Sequence, residues 1–197
     1  MNKIDLYIED ETDIYNELYE KEELDNLDIK NKTISNATLD RCNLTTSDYK
    51  STYFEKVVFS NCDLSNTKFI ECNFREVEFN NCKLVGVNIS DCHITKMTIN
   101  SSQCKYINII DTKTKELTIA ESDLTESSFY NVELNKTAFE DSCFKESEFM
   151  HLNLSGINFS TCDITGIKIE ERSLRGIRVN QFQAIELATL LGIEIVE

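Results

Sequence analysis

The chain predicts an all-β solenoid, and two observations carry that prediction. From Ile29 to Val179 a large apolar residue returns every five positions: 29 of these 31 positions hold Ile, Leu, Val, Phe or Tyr, and only Cys104 and Thr114 depart. A period of five fits neither the 3.6 of a helix nor the 2.0 of a strand, so the backbone must turn a corner every five residues. The second observation is what lies between. With the repeating residue written as i, position i−2 is small or apolar, and i−1, i+1 and i+2 are polar, as in FSNCDLSNTKFIECNFREVEFNNCKL from Phe59 to Leu84. Two inward and three outward residues per five describe a square coil with one pentapeptide on each side. Asn, Asp, Ser and Thr crowd the outward positions because their side chains satisfy turn backbone locally.

The elements follow in order. Residues 1–28 break the comb and hold eleven acidic residues against two lysines. Ile14, Tyr15, Leu18 and Tyr19 suit an amphipathic helical turn or two after Thr12 or Asp13, giving an acidic N-terminal cap. Residues 29–181 are the repeat body, whose unbroken phase admits no inserted loop unless its length is a multiple of five. Its poorest core is expected at Ile99–Ile119, where Cys104 and Thr114 fall. Residues 182–197 form a capping or pairing segment. Asn180 caps a short helix from Phe182 to Leu191, Gly192 ends it, and Ile193 to Val196 alternates like a terminal strand.

Six of the eight cysteines, Cys42, Cys62, Cys72, Cys82, Cys92 and Cys162, occupy slot i−2. There they read as small hydrophobes forming a buried, reduced ladder. No CxxC occurs and the spacings fit no zinc pattern, so neither a metal nor a cofactor is expected. No run of 18 apolar residues is present, which argues against a membrane-spanning helix. The start MNKIDLYIED lacks the basic, then apolar pattern of a secretory signal, which predicts a cytoplasmic location. His93 and His151 fall on outward slots of different coils, and no phosphate loop, GxSxG or HExxH is found. Carboxylate pairs such as Glu140–Asp141 and Glu170–Glu171 lack a pocket that would desolvate them. The chain reads as a binding protein, with no catalytic residue and no small-molecule substrate.

The repeat resembles the pentapeptide-repeat family, whose motif is roughly A(D/N)LXX, over residues 29–181. That resemblance implies a right-handed quadrilateral β-helix with four repeats per coil, hence about eight coils. The C-terminal segment SLRGIRVNQFQAIELATLLGIEIVE is more specific. Through Leu174, Gly176, Ile177, Val179, Gln183, Ala184, Leu187, Ala188, Leu191, Gly192, Ile193 and Ile195 it resembles the Qnr-type quinolone-resistance proteins. The resemblance implies a tail-to-tail homodimer through Phe182, Ala184, Ile185, Leu187, Ala188 and Leu191. It also implies a rod that imitates B-DNA in the DNA-binding saddle of a type II topoisomerase, DNA gyrase or topoisomerase IV. The absence of a phase break resembles the loopless members, which inhibit gyrase in competition with DNA, more than the loop-bearing ones that protect it from quinolones.

Charge qualifies this reading. The net charge is −15, yet residues 1–28 carry −9 of it, residues 29–181 only −3, and residues 182–197 the remaining −3. Sorted by face over residues 27–181, the first face (Ile89, Ile109, Phe129, Phe149) sums to −4 and the second (Phe54, Phe74, Ile94, Leu174) to +5. The third (Phe79, Ile119, Phe139) sums to −3 and the fourth (Leu64, Leu124, Ile164) to −2. A DNA mimic would use the acidic faces, through Asp91, Asp111, Glu121, Asp123, Glu126, Glu140, Asp141 and Glu148. The alternative is a repeat scaffold that binds an unrelated protein through the acidic N-terminal cap. Direct nucleic-acid binding through the basic face ranks behind both, because the whole chain repels a polyanion.

Overall fold

In the computed structural model, which describes residues 13–194 and 196, the chain winds as a parallel β-solenoid of about eight turns followed by one helix. Pairing runs in steps of twenty residues throughout: Ile14 pairs with Ile34, Phe54 with Phe74, Phe74 with Ile94, and Ile94 with Thr114. With a corner every five residues, each turn has four sides of one pentapeptide, as the sequence predicts. Strands of the first face form an eight-stranded sheet, and those of the second and third share an eleven-stranded one. Three strands, Asn73–Asn80, His93–Asn100 and Lys113–Ala120, run unbroken around the corner between the second and third faces. The fourth face pairs by single bridges, from Glu23↔Asn43 through to Cys143↔Asp163.

The corner is a left-handed residue. Position i+2 has positive φ without interruption from Asn16 to Gly156, with glycine only at Gly86 and Gly156. This conformation costs an ordinary residue roughly 1–2 kcal/mol and Asn or Asp less, which explains the asparagines there. It is held by the next coil: the amides of Asn16, Asn36 and Asn61 donate to the carbonyls of Ser35, Glu55 and Asn80 at 3.0, 2.9 and 2.9 Å. The fourth face closes its turn further, the amides of Thr67 and Ser127 donating to the carbonyls of Leu64 and Leu124 at 3.1 Å each.

The repeat starts earlier than the sequence suggests. Ile14, Tyr19 and Leu24 are buried on the same phase of five, and Ile14–Tyr15 and Leu18–Glu20 are strands paired with the following coil. The helical turns expected there are not formed. Acidic residues on the outward slots at Asp13, Glu20, Glu23 and Asp25, and Glu17 and Glu22 in slot i−2 where the other coils are small or apolar, disguise the comb, and Tyr15 and Leu18 point outward, mimicking a helical stripe. The rest of the acidic cap lies outside the described residues.

Inside, ring stacks run along the axis: Tyr49 on Phe69, Phe54 on Phe74, Phe59 on Phe79, and Phe129 on Phe149, with centroids 5.1, 5.1, 4.8 and 4.7 Å apart. Where slot i−2 is Cys, Ser or Thr it holds a small donor. The thiols of Cys42, Cys62 and Cys82 reach the carbonyls of Tyr19, Leu39 and Phe59 one coil back at 3.5, 3.3 and 3.4 Å. Ser47, Thr67 and Ser147 hydroxyls make the equivalent bond to Leu24, Leu44 and Leu124. Cysteine thus stands in a serine-sized inward slot as a weak donor; Cys104 fills slot i itself, and burial pushes its thiol up to about 12.

Beyond Gly156 the corners become irregular, with a short 3-10 turn at Glu171–Leu174. Helix α1, Gln181–Leu190, then closes the rod. Asn180 accepts from the amides of Phe182 and Gln183, and the Gln183 side chain accepts in return from the Asn180 amide at 2.8 Å, completing a capping box. Gly192 has φ 71 just past the helix end, where the left-handed conformation stops it. Ile193 and Glu194 are not in a strand.

Candidate interaction surface

The eight acidic residues expected to contact a partner do not share one surface. Asp91 and Asp111 stack at the corner between the first and second faces, and Glu148 lies on the first face. Glu121, Glu140 and Asp141 lie on the third face or its closing corner, while Asp123 and Glu126 belong to the fourth. The structure brings Glu121, Asp123, Glu140 and Asp141 together around the edge between the third and fourth faces, and sets Asp91 and Asp111 on the opposite edge.

Their electrostatic surroundings differ. Glu148 is paired with Lys168 at 2.6 Å, and Asp123 with Lys105 at 3.3 Å. Partial burial opposes ionisation of Asp123, but bonds from the Thr125 hydroxyl and amide, with Lys105 beside it, hold its carboxyl below the ordinary carboxylate value. Glu121 accepts from the Ser101 hydroxyl at 3.0 Å and Asp111 from the Asn131 side-chain amide at 2.6 Å. These are neutral partners, so neither bond offsets the carboxylate charge.

Over residues 13–181 the charge balance by face differs: the first face is −4, the second +4, the third −4 and the fourth −5. Residues 22–26 alone add −3 to the fourth face. Acidity that the sequence assigned to a separate cap therefore lies on the rod itself. The edge between the second and third faces is an alternating column, Lys56, Glu76, Lys96, Glu116 and Lys136, with Lys96–Glu76 at 3.2 Å and Lys136–Glu116 at 3.1 Å. The hydrogen bond and charge of Lys136 hold the Glu116 carboxyl below its ordinary value.

Helix α1 presents a second surface. Phe182 is 70% exposed, and Ile185, Leu190 and Leu191 about half exposed. Leu187 is the correction among the six residues expected there: it is buried against the last coil near Ile164 and Ile167. Gln183 is buried too, its side-chain amide donating to the carbonyls of Phe159 and Cys162 at 2.8 and 2.7 Å. One stripe of α1 seals its own rod while Phe182, Ala184, Ile185 and Leu191, joined by Leu190, face outward and Ala188 is half-buried.

The sequence also hides an outward apolar row. Position i+1 of the first face holds Ile70, Ile110, Tyr130 and Met150, where the other faces carry mostly polar residues. Sorting i+1 by face, instead of reading it as uniformly polar, would have found it.

Among the described residues, no group of three or more His, Cys, Asp or Glu is placed to hold a metal ion, and no helix is long and apolar enough to cross a membrane. His151 sits at a corner, 3.1 Å from Glu170 and 2.8 Å from Arg172, with Tyr130 edge-on at 4.9 Å.

The repeat and the four-sided parallel coil define a class, and comparison agrees: residues 32–109 match the model for a pentapeptide repeat region. Over those residues the chain carries a pentapeptide-repeat region, and the described residues wind as a four-sided parallel coil throughout. Among solved structures it is similar to a trypsin-treated variant of QnrB1, a plasmid-mediated fluoroquinolone resistance protein, with 16% identity over 93% of this chain and 99% of that one and a TM-score of 0.38. It is also similar to HetL, a pentapeptide repeat protein involved in heterocyst differentiation regulation from the cyanobacterium Nostoc, with 12% identity over 90% and 96% of the two chains and a TM-score of 0.39. No curated protein sequence matches the chain.

Proposed function

We propose that this protein is a non-enzymatic, cytoplasmic DNA mimic that pairs tail to tail and binds a type II topoisomerase, DNA gyrase or topoisomerase IV. The observation that carries the reading is the C-terminal segment. Of the residues that resemble the Qnr-type tail, Gln183, Ala184, Leu187 and Ala188 fall on α1, whose inward stripe seals the rod and whose outward side, with Leu191 just past its end, leaves Phe182, Ile185, Leu190 and Leu191 for a second copy. Three acidic faces add support, since a paired rod offers a long anionic surface to a basic saddle. Asp91, Asp111, Glu121, Asp123, Glu126, Glu140, Asp141 and Glu148 are the residues assigned to that contact. The absence of a register break between Ile14 and Phe149 favours inhibition in competition with DNA over protection from quinolones.

The test is a gyrase supercoiling assay with the protein titrated in, with and without a fluoroquinolone, beside sedimentation of wild type and a Phe182→Ser/Ile185→Ser variant. The expected result is inhibition that weakens with added salt, and a dimer lost in the variant together with inhibition. Unaltered supercoiling in both arms, with the dimer intact, would leave a scaffold for an unrelated protein, bound through its acidic N-terminal coil.

A further inference from the structure

We infer that the first face, over its C-terminal half, docks a basic amphipathic helix laid along the rod axis. Ile110, Tyr130 and Met150 are successive register partners in the same outward slot, so their side chains line up one coil above another. Tyr130 is 43% exposed and Ile110 and Met150 half-buried; Tyr106, 49% exposed, flanks the row from the corner before it. On the other three faces this slot is polar at nearly every coil, so three apolar side chains in succession make a patch and not a stray contact.

Charge selects the partner. At one corner the row is bordered by Glu126 and Glu146, and at the other by Asp111, Asn131 and His151, with Asp91 one coil before and Arg172 beside His151; the four acids are all exposed. Many acids elsewhere on the coils pair with a cation one coil away, as in Asp48–Lys68, Asp63–Lys83, Glu116–Lys136 and Glu148–Lys168. Among the described residues, none of these four border acids has a basic side chain within ion-pair distance. A second copy of the same face would set these charges against each other, which disfavours self-association. A segment with apolar residues in its centre and Lys or Arg on both margins satisfies the row and its borders together.

Spacing selects the conformation. Coils repeat at about 4.8 Å and an α-helix at about 5.4 Å per turn. A helix lying along the axis therefore sets one apolar residue per turn, at i, i+3 or i+4, and i+7, over one side chain per coil, with a mismatch of roughly 1 Å across three rows. This surface is separate from helix α1, and the inference holds whether or not a topoisomerase is the partner.

The experiment uses the full chain and two synthetic helices that share a Leu/Phe stripe, one flanked by Lys and Arg and the other by Glu. Binding is read by fluorescence anisotropy in low and high salt. The basic helix should bind, weaken in high salt, and lose about tenfold or more in affinity with Ile110→Ser/Tyr130→Ser, whose positions are outward. A second variant, Asp91→Asn/Asp111→Asn/Glu126→Gln/Glu146→Gln, should lose the salt dependence, and both should keep the wild-type melting curve. No binding of the basic helix, equal binding of the acidic one, or unchanged affinity in both variants overturns the proposal. So does loss of a dimer on sedimentation of Ile110→Ser/Tyr130→Ser, which would assign the row to a second copy.

Discussion

The rod has two aromatic stretches, Tyr49–Phe79 and Phe129–Phe159, separated by an aliphatic waist from Leu84 to Leu124, yet corners and register are the same in both. The two inward slots explain this. On the first face, where slot i is aromatic, slot i−2 is small: Ser47 with Tyr49, Thr67 with Phe69, Ser127 with Phe129, Ser147 with Phe149. In the waist the pairs are Val87 with Ile89 and Ile107 with Ile109. Volume lost at one slot returns at the other, which keeps the interior near native density with no change of backbone. The third face does the same with Met97–Ile99 and Leu117–Ile119. The waist is therefore not a uniformly poor core, as the departures from the comb suggested. Cys104 and Thr114 are both buried, and only the Thr112–Thr114 pair combines two polar residues.

Removing an aromatic should be the largest single effect. Phe129 is fully buried, stacks on Phe149 at 4.7 Å, and packs against Phe139 and Phe144. Phe129→Ala is expected to cost about 3–5 kcal/mol in a denaturant melt, more than Ile109→Ala at the same slot in the waist. Equal losses at the two sites would break the contrast.

A transplant tests the volume exchange directly. Phe69→Ile leaves a void beside Thr67, and Thr67→Ile alone overfills the slot beside Phe69 and removes its bond to the Leu44 carbonyl; each should cost roughly 1–3 kcal/mol. The double variant reproduces the Ile107–Ile109 pair and should be more stable than the sum of the two single losses predicts, a coupling that a double-mutant cycle reads out. Strict additivity would mean that the slots do not share one volume.

The waist has one position to improve. Thr114 commits a buried hydroxyl to the Glu133 carbonyl at 3.1 Å in a slot that is apolar in the neighbouring coils. Thr114→Ile adds buried methylene and should raise stability by about 1 kcal/mol in the same melt. A loss of that size would show that the hydroxyl bond outweighs the packing.

Most of this fold is legible because each coil repeats the same local decision. An apolar residue every fifth position, with polar residues at nearly every corner, leaves no other period to choose. What escaped reading did so for identifiable reasons. Ile14, Tyr19 and Leu24 continue the comb, but the acidic residues around them disguised three coil sides as a cap. Leu187 looked like pairing surface because its composition matches that of its exposed neighbours; only the seating of Gln183 under the Phe159 carbonyl fixes which stripe of α1 turns inward. The first-face row of Ile110, Tyr130 and Met150 needs the twenty-residue register before its members become neighbours.

The fourth face carries the contrast into pH, with the smallest expected effect because its groups are partly exposed. Asp63 in the first aromatic stretch, Asp123 at the end of the waist and Asp163 beyond the second aromatic stretch each accept from the amide and hydroxyl two residues on. Between Asp63 and Asp123 the column holds Lys83 and Gln103, which do not titrate in acid. For Asp63 and Asp123, burial opposes ionisation but is outweighed by bonds from Ser65 and Thr125 and by the nearby lysines; for Asp163 the Thr165 hydroxyl leads. All three carboxyls are held below their ordinary value. A depressed folded-state pKa contributes stability that is fully present above the unfolded value, about 3.9, and is lost as pH falls through the folded one. Melting temperature should therefore drop below about pH 4, and amide exchange should rise at Ser65, Thr125 and Thr165 before it rises at Val85 and Lys105. Asp63→Asn/Asp123→Asn/Asp163→Asn keeps the side-chain acceptor, as Asn43 does toward Thr45, and removes the titration. That variant should flatten the acid limb of the melting profile; an unchanged limb would assign it to other carboxylates, with Glu116 and Glu170 next in line because both are also held low.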